Sequence, residues 1–228
     1  MWISELFHSI QGEGRLVGQA SAFIRTSGCN LRCWFCDTPY TSWQPEGDQL
    51  TIAQILERLE GYPTRHAVIT GGEPLLSPEI EDLCTALKDR DYHITIETAA
   101  TIDKPVVCDL MSLSPKLANS TPWTKEGGTE AGQHEARRIV PATIHRFVKD
   151  YDYQVKFVID QLADIDEVTA FLHAYPEIAR DRVYLMPQAI EREPLVAKYQ
   201  WIGEACEQLG YRLGQRLHIE MYGNKRGT

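Results

Sequence analysis

"SGCNLRCWFCDTPY", residues 27–40, sets Cys29, Cys33 and Cys36 close together and offers no fourth cysteine nearby. A structural zinc site normally closes around four ligands, often two CxxC pairs. CxxxCxxC is a different pattern, and its count stops at three. Cys84 and Cys206 fall in helical patterns and Cys108 in a strand pattern, where a small buried apolar residue explains each. Two readings follow. In one, zinc recruits a fourth ligand from these cysteines, or from His66 or His93. In the other, the thiolates hold a [4Fe–4S] cluster, which needs four ligands, so that three leave one iron open to a small molecule.

The rest of the chain sets bounds. Its 228 residues can bury one substantial core, so a single domain over residues 1–228 is expected. A hydrophobic content of 43% and a charged content of 24% show no bias toward disorder, collagen or coiled coil. The net charge of -9 argues against sequence-independent nucleic-acid binding, which needs a basic face. Local basic clusters such as "EARRIV" and "GNKRGT" read as solvated surface. The first residues, "MWISELFHSIQGEG", lack a cationic start followed by an apolar run, and no stretch approaches the roughly 20 apolar residues of a membrane span. A cytoplasmic protein without nucleic-acid or membrane partners is expected, its six cysteines kept as thiols rather than built into a disulfide framework.

Short β-branched runs alternate with helical periodicity. Residues 21–27, 66–72, 93–99, 106–114, 153–160 and 182–188 read as strands. In 51–60, Ile52, Ile55, Leu56 and Leu59 mark one helix face, with Thr51 as N-cap. Similar patterns cover 77–90, with Ser77 as a cap and Pro78 opening the helix, 163–175 and 193–210. Strands alternating with helices imply βαβ units and a mostly parallel sheet, which can close into a barrel or stay open. The polar, Gly- and Thr-rich stretch 119–138 reads as a mobile loop or lid.

CxxxCxxC with an aromatic residue before its last cysteine, "CNLRCWFC", resembles the signature of radical S-adenosylmethionine enzymes. In that superfamily the amino and carboxylate groups of S-adenosylmethionine chelate the open iron, and an electron from the cluster releases a 5′-deoxyadenosyl radical. A second motif, "VITGGEPLL" (68–76), ends a predicted strand. Taken alone it is a Gly-Gly turn into a helix; taken with the cysteines it resembles the superfamily strand end that contacts the amino group of S-adenosylmethionine. "FHSIQGEG" (7–14), "LSPK" (113–116) and "RLHIEMYGNKRG" (216–227) extend the likeness over essentially the whole chain, to the 7-carboxy-7-deazaguanine synthases. That resemblance implies a trimmed partial (β/α) barrel and a ring contraction that turns 6-carboxy-5,6,7,8-tetrahydropterin into 7-carboxy-7-deazaguanine and ammonia, toward queuosine and related deazapurines. It also implies Mg²⁺, a homodimer and an electron donor such as a flavodoxin or ferredoxin. A glycyl-radical activase or a non-catalytic zinc module are the alternatives.

The same resemblance assigns residues. Cys29, Cys33 and Cys36 would hold the cluster and Thr38 would ligate Mg²⁺, an ion that prefers oxygen and keeps several waters. Phe35, Cys36, Asp37, Gly71, Gly72, Glu73, Glu97, Ser114, Pro115, Lys116 and Gln188 would meet S-adenosylmethionine. Ile10, Gln11, Gly12, Glu13, Arg25, Thr70 and His218 would meet the pterin, whose edge alternates donors and acceptors that an amide, a carboxylate and backbone groups can match. A guanidinium fork at Arg25 suits the substrate carboxylate. Plainer readings stand beside these: a terminal Gly-rich turn for "QGEG", a surface salt bridge for Arg25, a turn for "DTPY", a capping or paired acid for Glu97 and a satisfied strand histidine for His218. Two departures are visible. "IETAAT" lacks the Asn-Gly pair expected after its strand, and the tail beyond His218 runs to Thr228, so no terminal carboxylate is assigned to the substrate.

Overall fold

The computed structural model describes residues 1–228. In the sheet, residues alternate between two faces with the period of two that a pleated strand imposes. Ala22, Ile24, Ala67, Ile69, Ile94, Ile96, Met111, Leu113, Val155, Phe157, Val183 and Leu185 all fall on one face and are buried in a single large core. The intervening positions include Arg25, Thr70, Thr95, Glu97, Ser112, Gln154 and Lys156. So one face carries helices, and the other mixes these polar groups with a small apolar cluster of Phe7, Phe23 and Val68.

Nine strands run in the order β3-β1-β2-β4-β5-β6-β7-β8-β9. They are β1 (Trp2–Ile10), β2 (Ala20–Thr26), β3 (Asp48–Gln49), β4 (His66–Gly71), β5 (His93–Thr98), β6 (Leu110–Leu113), β7 (Tyr153–Ile159), β8 (Val183–Pro187) and β9 (Arg212–Leu213). β1 is antiparallel to both neighbours, and every pairing from β2 onward is parallel. The sheet does not close, as a trimmed partial barrel requires. Helices α1 (Ile52–Glu60), α2 (Ile80–Lys88), α3 (Ala131–Arg137), α4 (Pro141–Asp150), α5 (Leu162–Ala174) and α6 (Arg192–Leu209) serve the crossovers, and α7 (Leu217–Tyr222) follows β9. The crossover from β5 to β6, residues 99–109, contains no helix.

The polar face is wrapped by the β1–β2 connection. Its Arg15 N–H donates to Gln154 Oε1 (2.8 Å), Arg15 pairs with Asp152 (2.6 Å), and Gln154 Nε2 donates to Ser112 Oγ (2.8 Å). Gly14, at φ 69°, makes this approach possible, since a Cβ there would lie 2.4 Å from Gln154 Nε2. A loop leaving β1 thus touches β7, four strands beyond β2 in the sheet, which requires the sheet to curl.

Several local expectations change. Thr51 caps α1 as expected, in a reciprocal capping box with Gln54. α2 begins at Ile80 rather than at Pro78, because a 3-10 turn at Pro74–Leu76 takes up the chain first and the Ser77 hydroxyl caps nothing. The strand expected over 106–114 pairs only from Leu110. The stretch 119–138 is not a featureless loop: it holds short 3-10 turns and α3, whose buried Ala131 and His134 are too few to give a periodic signal. β1, α4 and α7 were not anticipated. His218 lies on α7, so the strand histidine is corrected to a helical one.

Candidate active site

The C-terminal ends of the parallel strands open into one cavity, the usual functional face of such a sheet. It is lined by every residue that the resemblance assigned except Glu73 and Pro115, and by neither His66 nor His93 nor the three scattered cysteines.

On one side lies the loop after β2. Gly71 and Gly72 end β4 against it: a Cβ on Gly71 would sit 2.2 Å from Thr26 O, and one on Gly72 2.0 Å from Gly28 O. Glu73 N–H donates to Gly28 O (2.9 Å), so the second motif is stitched to the first by backbone. Cys33 packs with Leu31 and Ala99, and Cys29, Phe35 and Cys36 border that cluster. Burial pushes the Cys29 thiol up to about 11 and the Cys33 thiol up to about 12. Such thiols stay protonated at neutral pH until a metal replaces the protons. Cys29 Sγ accepts the Leu31 N–H (3.4 Å), and Cys36 Sγ accepts the Ser42 hydroxyl (3.3 Å). No three His, Cys, Asp or Glu side chains converge where a single metal ion could be held. All three thiols border one cavity, where three cysteine ligands would leave one iron of a [4Fe–4S] cluster open.

His134 braces this loop from outside. Its Nδ1 accepts the Arg32 N–H (3.0 Å), which leaves the proton on Nε2, 2.8 Å from Ser120 Oγ. Burial pushes His134 down to about 4, so the ring is neutral. Asn30 Nδ2 donates to Thr101 Oγ1 (3.0 Å), tying the loop to the turn after β5. There Ala100 takes φ 57°, the left-handed conformation for which an Asn-Gly pair was expected. Its N–H is held by Thr98 Oγ1 (3.0 Å).

Lys116 reaches Ser114 Oγ (2.6 Å) and has no carboxylate partner, so this cation is free beside the cysteines. Glu73 differs from its expected role. Its carboxylate is buried and accepts from Leu75 N (3.1 Å), Thr98 Oγ1 (2.8 Å) and Ala99 N (2.9 Å), away from the cavity. Burial raises its pKa despite these donors. Pro115 also faces elsewhere, while Ser114 and Lys116 on either side line the wall.

The opposite side is built from ion pairs. Lys156, on β7, sits 2.8 Å from Glu13 and 2.8 Å from Glu97. Glu97 also accepts from Thr70 Oγ1 (2.9 Å) and Gln11 Nε2 (3.4 Å). Arg216 pairs with Glu13 (3.2 Å) and with Asp37. Burial alone would raise the pKa of Glu13; Lys156 and Arg216 more than reverse it. Burial likewise works against charge on Asp37, and Arg216 overcomes it. Arg25 Nε lies 2.7 Å from Glu5, with the guanidinium over the Phe7 ring, and its terminal nitrogens meet no protein acceptor. Thr38 Oγ1 accepts from Thr41 Oγ1 (3.3 Å) and lines the cavity. His218 lies against the backbone of Gly12, where a Cβ would come within 2.0 Å of Nδ1. Burial lowers its pKa.

Lys156 and Arg216 escaped the sequence reading. In "YQVKFVID" Gln154 and Lys156 alternate with apolar residues as in any strand with one polar face, so nothing local marked Lys156. Arg216 opens the quoted "RLHIEMYGNKRG", but its partners lie far away in sequence and the motif alone does not name its role.

The family model described as "Radical SAM superfamily" matches residues 23–117. The chain is 48% identical to the 7-carboxy-7-deazaguanine synthase of Rhodopirellula baltica, over 99% of this chain and 88% of that one. It is 40% identical to the 7-carboxy-7-deazaguanine synthase of Halobacterium salinarum, over 97% and 90%. Among solved structures, QueE from Escherichia coli matches with a TM-score of 0.71 and 23% identity, covering 95% of this chain and 94% of that one.

Proposed function

We propose roles for the cavity residues on the premise that the chain belongs to the 7-carboxy-7-deazaguanine synthases, radical S-adenosylmethionine enzymes. It converts 6-carboxy-5,6,7,8-tetrahydropterin into 7-carboxy-7-deazaguanine with loss of ammonia, in the biosynthesis of queuosine. When bound, the [4Fe–4S] cluster and S-adenosylmethionine supply hydrogen-atom abstraction at the carbon bearing the substrate carboxylate. The observation that carries the residue roles is a single cavity with thiols on one wall and, on the other, an ion network beside the Arg25 guanidinium, which Glu5 holds through Nε.

Cys29, Cys33 and Cys36 hold the cluster. Phe35, Asp37, Gly71, Gly72 and Gln188 flank S-adenosylmethionine, and the unpaired Lys116 with Ser114 meets its carboxylate and ribose. Glu73 and Pro115 act through their place in the chain, with Glu73 fixing Ala99 under the cysteines. Arg25, steadied by Glu5, turns its free nitrogens to the substrate carboxylate. Thr38, whose hydroxyl lines the cavity, would offer one oxygen ligand to Mg²⁺, and the ion would supply charge stabilisation for a carboxylate; Arg25 and Thr38 act by positioning. Ile10, Gln11, Gly12, Glu13, Thr70 and His218 frame the pterin ring; Glu97, expected from the resemblance to meet S-adenosylmethionine, is placed with them instead because Lys156, Thr70 and Gln11 hold its carboxylate.

The whole chain works as one domain, as a homodimer, in the cytoplasm, where its six free cysteines stay reduced. A flavodoxin or ferredoxin feeds the cluster its electron. The test is anaerobic: reconstituted protein with reductant, S-adenosylmethionine, Mg²⁺ and 6-carboxytetrahydropterin is expected to give both 5′-deoxyadenosine and 7-carboxy-7-deazaguanine by mass spectrometry. Deoxyadenosine alone would overturn the substrate assignment.

A further inference from the structure

Lys156 is buried on the inner face of β7, at 3% exposure, yet it belongs to the cavity wall and not to the apolar core. Its reach is set by β6, which lies between β5 and β7 and offers the small Ser112 there, with Ser114 just past its end. The lysine extends across that strand to Glu97 on β5, and meets Glu13 from the β1–β2 connection on the way. Both contacts are 2.8 Å, short enough for charge-assisted hydrogen bonds. An ammonium buried with such contacts ties both carboxylates to one point; Glu97 has no other cationic partner, while Glu13 keeps Arg216 as a second one.

We propose that Lys156 is a positioning residue for the substrate: its ammonium spaces and orients Glu13 and Glu97 so that their remaining lone pairs receive the N–H groups of the pterin. The inference rests on the substrate reading above. A reduced pterin presents adjacent ring N–H and amino N–H donors, and a carboxylate offers about four acceptor sites. Glu13 spends one on Lys156 and one on Arg216, which leaves acceptor capacity toward the cavity. Glu97 is held by Lys156, Thr70 and Gln11, each of which also lines the cavity. A lysine serving stability alone would have no need of partners that all face the ligand space.

Removing the ammonium leaves Glu13 and Glu97 facing each other. The charged groups around them are then Arg216 and the neutral-leaning His218 on one side and Asp37 behind Arg216. Two close carboxylates resist joint ionisation, so the pair takes up a proton. A protonated carboxyl presents a donor where the pterin also presents one.

The test uses reconstituted full-length protein and compares wild type, K156M and K156R. K156M is expected to lower kcat/KM for 6-carboxytetrahydropterin by ~10²-fold, mainly through KM. Its acid limb in the pH profile is expected to move up by about one unit or more. K156R, which keeps the charge, should restore the wild-type profile and most of KM. A K156M profile that superimposes on wild type, or a K156R variant as poor as K156M, overturns the proposal. If K156M does not fold, K156Q, a neutral polar side chain at the same position, takes its place: raised KM with the acid limb moved up supports the proposal, and a wild-type KM with an unshifted limb overturns it. Wild type that makes no deazaguanine product breaks the substrate reading itself, which separates the two failures.

Discussion

The two walls of the cavity are held by different physics. The cysteine wall rests on backbone contacts: Gly71 and Gly72 pass within van der Waals distance of Thr26 and Gly28, and Glu73 N–H closes the junction. The substrate wall rests on side chains from distant parts of the chain, Glu13, Asp37, Glu97, Lys156 and Arg216, joined by charge. A backbone junction tolerates no added atom. A charge network answers to substitution by shifting its acids and bases, so its failures are graded and depend on pH.

The largest effect is expected at the cysteines. Cys33→Ala removes one of three protein ligands from a wall with no substitute nearby, and should abolish both S-adenosylmethionine cleavage and turnover. Iron content and 5′-deoxyadenosine yield check this, and residual cleavage would show that the wall can borrow a ligand. Gly72→Ala comes next. The new Cβ would meet Gly28 O at 2.0 Å and Thr41 O at 2.7 Å, both backbone atoms that cannot rotate away. Overpacking of this kind costs about 1–3 kcal/mol, and roughly 5 °C in Tm for a chain of this size. Lower iron content at saturating reconstitution should accompany the Tm loss; normal iron content would mean the junction is softer than its contacts imply.

This contrast also explains what the sequence disclosed. The cysteine wall is local: residues 29–36 and 70–73 each form a contiguous motif, so type and spacing are readable. Short β-branched runs gave the parallel strands β2, β4, β5, β7 and β8 nearly to their ends, because each has one face in the core. The same reading ran β6 too long, since the strand pairs only over Leu110–Leu113 although the apolar run begins at Val106. Lys156 and Arg216 stayed hidden because their partners are 59 to 203 residues away, a pairing that no local pattern records. α3 was missed for a related reason: His134 is buried against Arg32 and Ser120, a polar bargain that leaves no hydrophobic period.

On the substrate wall the expected effect is smaller and specific. Arg25→Gln keeps a polar side chain but loses the fork, and charge-assisted pairs of this kind contribute about 1.5–3 kcal/mol. KM for 6-carboxytetrahydropterin should rise roughly tenfold to a hundredfold, with iron content unchanged. A loss confined to kcat would place the substrate carboxylate elsewhere.

The smallest effect concerns the brace outside the cysteine wall, and it brings pH dependence to a region otherwise held by backbone. His134 is buried neutral, with its pKa pushed from the ordinary 6.5 down to about 4. Below pH 6.5 the unfolded chain binds a proton there that the folded chain refuses, so stability falls as pH drops toward 4 and this contribution levels off below it. The loop feels the change directly, because a protonated Nδ1 can no longer accept the Arg32 N–H. His134→Gln keeps a side-chain acceptor without a titrating ring. Its Tm is expected to fall less steeply than that of wild type between pH 6.5 and 4, while the two curves run parallel above pH 7. Equal slopes across the acid range would mean that the ring takes up its proton without unseating Arg32, and the cysteine wall would then be insensitive to charge on both of its faces.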